Sequence, residues 1–179
     1  MKNQTNLSFL IILGLLCSAF TILIPNWNID THYSIKFSGS KAEGTFSGLK
    51  GIIQFDPNNL TSSLIDVEVD ANTIKTGNST KDAHAKGESW FNTSEFPKIK
   101  FKSKTFTKSN NTWFVSGILD LHGVKNEILI PFAFIENGNE ATFKGKFKVN
   151  RKDFGINGNA MGFMVGNEFE VSLVIPVTK

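Results

Sequence analysis

The chain has 179 residues, a formal net charge of +3, 20% charged and 40% hydrophobic side chains. That length suits one domain with a substantial core, and so small a charge gives no footing for a nucleic-acid partner. A single cysteine, Cys17, excludes disulfides and leaves the segment after it without thiol chemistry.

In chain order, Met1–Ile24 reads as a signal peptide or N-terminal anchor: Lys2, the apolar stretch Leu7–Leu16, then the small residues Cys17-Ser18-Ala19. Phe20–Ile24 prolongs the apolar run to 18 residues. As a helix such a run reaches about 27 Å, barely a bilayer span, so cleavage and an uncleaved membrane anchor both stay open. Lys2 is the sole charge in that segment, so residues 25–179, read as the domain, carry +2.

Trp27-Asn28-Ile29-Asp30 opens the domain, and Ser34–Phe37 begins the first strand with Phe37 inward. Gly44–Gly48 carries Phe46, and Gly51–Phe55 ends at the turn Asp56-Pro57-Asn58-Asn59. Leu64–Ala71 alternates: Ile65, Val67, Val69 and Ala71 face inward, while Asp66, Glu68 and Asp70 face water. Thr73–Pro97 breaks the alternation, and Lys81–Phe91, ending in Trp90 and Phe91, predicts one or two short helices. Lys98–Thr105 returns to strand with Phe101 inward and Lys98, Lys100, Lys102 and Lys104 opposite.

Ser109-Asn110-Asn111 turns into Thr112–Leu121, and His122-Gly123-Val124 connects tightly to Glu127–Ile135, which carries Phe132 and Phe134. After the hairpin turn Asn137-Gly138-Asn139, Ala141–Asn150 sets Phe143, Gly145 and Phe147 against Lys144, Lys146 and Lys148. Arg151–Gly166 is glycine-rich and irregular, with Met161 and Met164 as adaptable apolar contacts; flap and plain surface loop both fit it. The last strand aligns Phe169, Val171, Leu173, Ile175 and Val177 on one face.

About eight antiparallel strands with one helical interruption predict an all-β barrel or sandwich, and a barrel of this strand number can enclose one small ligand. Gly117 and Gly145 place no side chain where a filled core would want one, although a bend would explain them equally. His32, His84 and His122 lack the paired spacing of metal ligands, so neither metal nor cofactor is expected. His84 and Asp82, in the insertion over a barrel mouth, are candidates for a polar head group; for Asp82 a loop-pinning role competes. Arg151, the single arginine, suits a structural ion pair or a phosphate. There is no Gly-x-Ser-x-Gly elbow, phosphate loop or cysteine nucleophile after Cys17, and no enzyme is expected.

Several pieces occur in a familiar order: Trp27-Asn28-Ile29-Asp30, Gly44-Thr45-Phe46-Ser47-Gly48-Leu49-Lys50-Gly51, Ile53–Pro57 and Lys81-Asp82-Ala83-His84. Trp90-Phe91, Phe96–Ser103, Gly117–Val124 and Asn150–Gly155 follow. In these the chain from Trp27 to Lys179 resembles the YceI-like family of lipid-binding (polyisoprenoid-binding) proteins. The resemblance implies an extended antiparallel lipocalin-like β-barrel with a short helical insertion, periplasmic or secreted. It also implies a long-chain isoprenoid or other amphiphilic lipid as partner; a homodimer stays open. The chain departs from the family pattern near its start, where His32 is displaced by one and Tyr33 precedes Ser34. The expected function is an exported protein that sequesters or carries a long apolar chain in the barrel. A barrel enzyme on an apolar substrate and a filled β-sandwich with an adhesion or scaffold role are the rivals.

Overall fold

A computed structural model describes residues 25–158 and 164–179; Met1–Ile24, read as signal or anchor, and Met161 lie outside the described residues. Nine strands are described: β1 (Asn26–Ile29), β2 (Ser34–Gly39), β3 (Ala42–Gln54), β4 (Leu64–Lys75), β5 (Lys98–Ser109), β6 (Thr112–Leu121), β7 (Val124–Asn137), β8 (Glu140–Asn150) and β9 (Glu168–Thr178). One helix, α1 (Ser79–Lys86), lies between β4 and β5. From β3 to β9 each strand pairs antiparallel with the next.

The wall closes through β1 and β2, which share one position between β3 and β9. β1 sets Trp27 against Ile53 of β3 and Ile29 against Val177 of β9. Further along, β2 sets Ile35 against Phe46 and Leu173 of the same two strands. The result is a closed eight-stranded barrel with no open edge.

Period-2 patterning makes these strands. In β6 Trp113, Val115, Gly117, Leu119 and Leu121 are buried, and the alternate residues between them are more exposed. The outward lysines meet carboxylates on the next strand, Lys102–Asp66 and Lys146–Glu170 each at 2.8 Å, or across one strand, Lys104–Glu127 at 2.6 Å. Exposed pairs of this kind contribute about 0–1 kcal/mol each, so they keep the outer face wet more than they hold the fold.

Tight turns fix the register. His122 and Gly123 (φ +56° and +74°) join β6 to β7 as a two-residue hairpin, the left-handed geometry that matches strand twist. The two segments expected as Gly44–Gly48 and Gly51–Phe55 are one strand, β3, with register shifts between Thr45 and Lys50. Gly48, inside that shift, supplies a φ of +73°; Gly51, just past it, has φ +136°, and a Cβ there would collide with the Asp66 carbonyl oxygen.

Only one helix forms in the insertion. Asn78 caps it by accepting the Lys81 N–H at 3.0 Å, and Gly87 ends it with its N–H on the His84 carbonyl. Residues 88–97 continue as turns and coil. The β2–β3, β4–β5, β6–β7 and β8–β9 connections all lie at the α1 end of the barrel. The opposite end is filled by aromatic rings.

Candidate functional site

The filled end is built around Phe55, which is completely buried. Its ring lies 4.9 Å from Phe134, 5.3 Å from Trp113, 5.5 Å from Phe132, 5.6 Å from Phe143 and 5.7 Å from Phe106. Most of these are edge-to-face contacts, the preferred geometry for aromatic quadrupoles. Trp27 donates its indole N–H to the Phe55 carbonyl at 3.0 Å and fastens β1 beneath the cluster.

Beyond that cluster the barrel is hollow. A cavity of about 860 Å³ runs from Phe132 and Phe143 to the α1 end. Of the expected apolar lining, Phe37, Phe46, Val67, Val69 and Phe101 reach it from β2 to β5. Phe132, Phe143, Phe147, Phe169 and Val171 reach it from β7 to β9, and Trp90, Phe91 and Met164 come in from the connections. At the open end the Phe37 ring stands 5.3 Å from Phe46 and 6.0 Å from Phe169, and Phe46 stands 5.5 Å from Phe91.

Phe134 is a correction. It has the right strand phase but packs into the filled end, 4.8 Å from Phe143 and 5.5 Å from Trp27, and does not line the cavity. Val115, Leu119 and Ile130 line it without having been singled out. Their alternation with outward residues was the available signal.

The two interior glycines differ. A Cβ at Gly117 would stand 2.6 Å from the Phe101 ring, so that ring occupies the space the sequence left open. At Gly145 the nearest atoms to such a Cβ are Ile130 Cγ2 at 3.4 Å and the Pro131 carbonyl at 3.5 Å, and Gly145 itself lines the cavity. Gly145 therefore leaves real room on the lumen wall.

The polar lining gathers near the open end. Lys41 sits in the β2–β3 turn and Glu43 just after it, Lys81 and His84 come from α1, and Thr76 precedes it. Asp82, as a head-group contact, is a second correction: it lies within α1, is buried and does not line the cavity. Its Oδ1 accepts the Thr76 N–H at 2.6 Å and the Thr76 hydroxyl at 2.8 Å, and Lys75 Nζ lies 3.6 Å from Oδ2. The Thr76 hydrogen bonds, with help from Lys75, hold its carboxyl below the usual carboxylate range. Asp82 pins the helix to the end of β4.

Arg151 lines the cavity from beneath the β8–β9 connection and is 5% exposed. It donates through Nη1 to the Ile156 carbonyl at 2.7 Å, Nε to Gly166 at 3.2 Å and Nη2 to Val165 at 3.3 Å. Its guanidinium lies 5.1 Å from the Trp90 ring centroid, and burial pushes its pKa down. The residue thus ties both ends of the glycine-rich connection to the segment after α1.

The three histidines stay apart. His32 is exposed at the break between β1 and β2, next to Asp30. His84 is at the open end, and the His122 ring packs tilted against Phe96, their centroids 4.7 Å apart. Among the described residues no group of three or more His, Cys, Asp or Glu side chains is placed to hold a metal.

A closed, up-and-down antiparallel barrel with an apolar chamber entered from one end belongs to the hollow, lipocalin-like barrels. More narrowly, the model of the YceI-like domain matches residues 27–177, and the chain belongs to that family. A UPF0312 protein of Photorhabdus laumondii is 26% identical over 155 residues, 79% of this chain and 81% of that protein. A UPF0312 protein of Shewanella denitrificans is 29% identical over 143 residues, 72% and 75% of the two chains. Burkholderia cenocepacia BcnA superposes with a TM-score of 0.78 at 20% identity, covering 84% of this chain and all of that one. A polyisoprenoid binding domain from Saccharophagus degradans, implicated in plant cell wall breakdown, superposes with a TM-score of 0.67 at 15% identity, covering 87% and 99%.

Proposed function

We propose that the protein is an exported lipid carrier, holding the hydrocarbon chain of a polyisoprenoid or similar amphiphile in its barrel without covalent chemistry. The observation that carries this reading is the chamber itself: about 860 Å³, walled by aromatic and aliphatic side chains, with its polar groups confined near one end. Ligand cavities typically measure about 300–1,000 Å³ and have this composition. A filled β-sandwich is incompatible with such a chamber. The polyisoprenoid binding domain among the similar structures supports the ligand class.

Magnitudes are adequate. Burying one methylene contributes about 0.8 kcal/mol, so a five-carbon isoprene unit contributes roughly 3–4 kcal/mol gross. Association and ordering cost about 4–15 kcal/mol. Four or more enclosed units therefore reach micromolar affinity, about −8 kcal/mol, from tail burial alone. The tail enters toward Phe132 and Phe143, and the head remains among Lys41, Lys81 and His84.

Native mass spectrometry of protein purified from its own host, followed by organic extraction and reloading, tests the reading. The expected result is a co-purified lipid and uptake that strengthens with tail length. Protein that retains no lipid and shows no length-dependent uptake overturns it.

A further inference from the structure

The chamber has one end that cannot yield. Phe132 and Phe143 both face the lumen, their rings 5.8 Å apart, and each lies against Phe55. Phe134, Trp113 and Phe106 pack against Phe55 in turn. Interiors packed ring on ring are as dense as organic crystals, so this floor does not part for a tail as a loop would.

We propose that the Phe132–Phe143 floor gauges tail length and thereby selects the ligand. The inference rests on the carrier reading and adds to it a limit set by named residues. At roughly 30 Å³ per small group, the volume share of a water molecule, the 860 Å³ chamber takes about twenty to thirty tail carbons. That corresponds to four to six five-carbon units. A longer tail leaves its surplus in water at the mouth. Relative to the detergent micelle that the tail leaves, each methylene exposed to water at the mouth weakens binding about fourfold, and each five-carbon unit on the order of 100- to 1,000-fold. Gly145 sets the same limit from the side, because its missing side chain is lumen space next to Phe143.

The test is a competition among linear prenols of two to ten isoprene units, supplied as an equimolar mixture in detergent micelles. Bound species are read by native mass spectrometry of delipidated protein. Wild type is expected to take up four to six units best and to fall steeply beyond. Gly145→Leu adds four carbons to the lumen wall and shifts the maximum down by about one unit. Phe143→Ala opens the floor and shifts it up by about one unit; should that variant fail to fold, Gly145→Leu still decides. Uptake with no maximum, or a maximum unmoved in the folded variants, overturns the gauge and leaves the carrier reading standing. Absence of uptake for every prenol by wild type overturns the carrier reading, and the gauge with it.

Discussion

Phe55→Ala separates the filled end of the barrel from the hollow one. Phe55 is fully buried against five other aromatic rings, so its loss removes the transfer energy of the ring and leaves a void that rigid neighbours cannot fill. Truncations of this kind cost about 3–5 kcal/mol, and the number of ring contacts puts this one near the top of that range. Phe147→Ala is the counterpart. Phe147 is half-buried and borders space that is already empty, so its truncation makes no new cavity and costs about 1–2 kcal/mol of lost contact. With a urea slope of about 2 kcal/mol/M, the midpoint should fall by about 2 M for Phe55→Ala and by at most about 1 M for Phe147→Ala. Lipid uptake should respond the other way, dropping for Phe147→Ala while the folded fraction of Phe55→Ala still binds. Equal midpoint shifts for the two lipid-free variants would refute the division into floor and chamber.

Gly51→Ala meets both a positive φ and the Asp66 carbonyl, for a loss of about 2–3 kcal/mol, whereas Gly138→Ala, with open space around it, should lose about 1 kcal/mol; thermal melts of the pair check the difference. Asp82 has a folded-state pKa below its ordinary 3.8, so its contribution is complete above that value and fades as pH falls through it and below. The protection factor of the Thr76 amide, its exchange referred to the intrinsic rate at each pH, should therefore fall below about pH 4 in wild type, and Asp82→Asn should show about tenfold weaker protection already at neutral pH. Arg151→Lys keeps the charge but cannot reproduce a planar fork onto the Ile156, Val165 and Gly166 carbonyls. It should lower stability by about 2–3 kcal/mol, or 4–12 °C in the melting temperature; an unchanged melt would show those hydrogen bonds to be incidental.

Which face a side chain takes was legible in the sequence; how deep it sits along the barrel axis was not. Phe134 and Phe147 share the inward phase on their strands, yet one packs into the floor and the other walls the chamber. Phase is a local property of two-residue alternation, whereas depth depends on the stagger between neighbouring strands. Gly117 and Gly145 make the same point, because only a neighbouring strand decides whether the Phe101 ring covers the gap. β1 escaped notice as a strand because it has four residues and takes half its partners from β9, at the far end of the chain. β3 read as two pieces because its bulge breaks the alternation. Arg151 was visible as a singular cation, but backbone carbonyls leave no signature in composition.

The seam between β9 and the β1–β2 pair bears on how the molecule comes together. Apart from the short β1–β3 contact, every other neighbouring pair of strands is adjacent in sequence, whereas Ser34 meets Val174 across 140 positions. Hairpins can zip early, but this last contact waits for the whole meander, which raises contact order and slows folding. Until it forms, the chain is an open curl with two bare edges and its greasy inner surface toward solvent, a state prone to self-association. A protein meant to be empty inside is therefore most vulnerable just before its wall is complete.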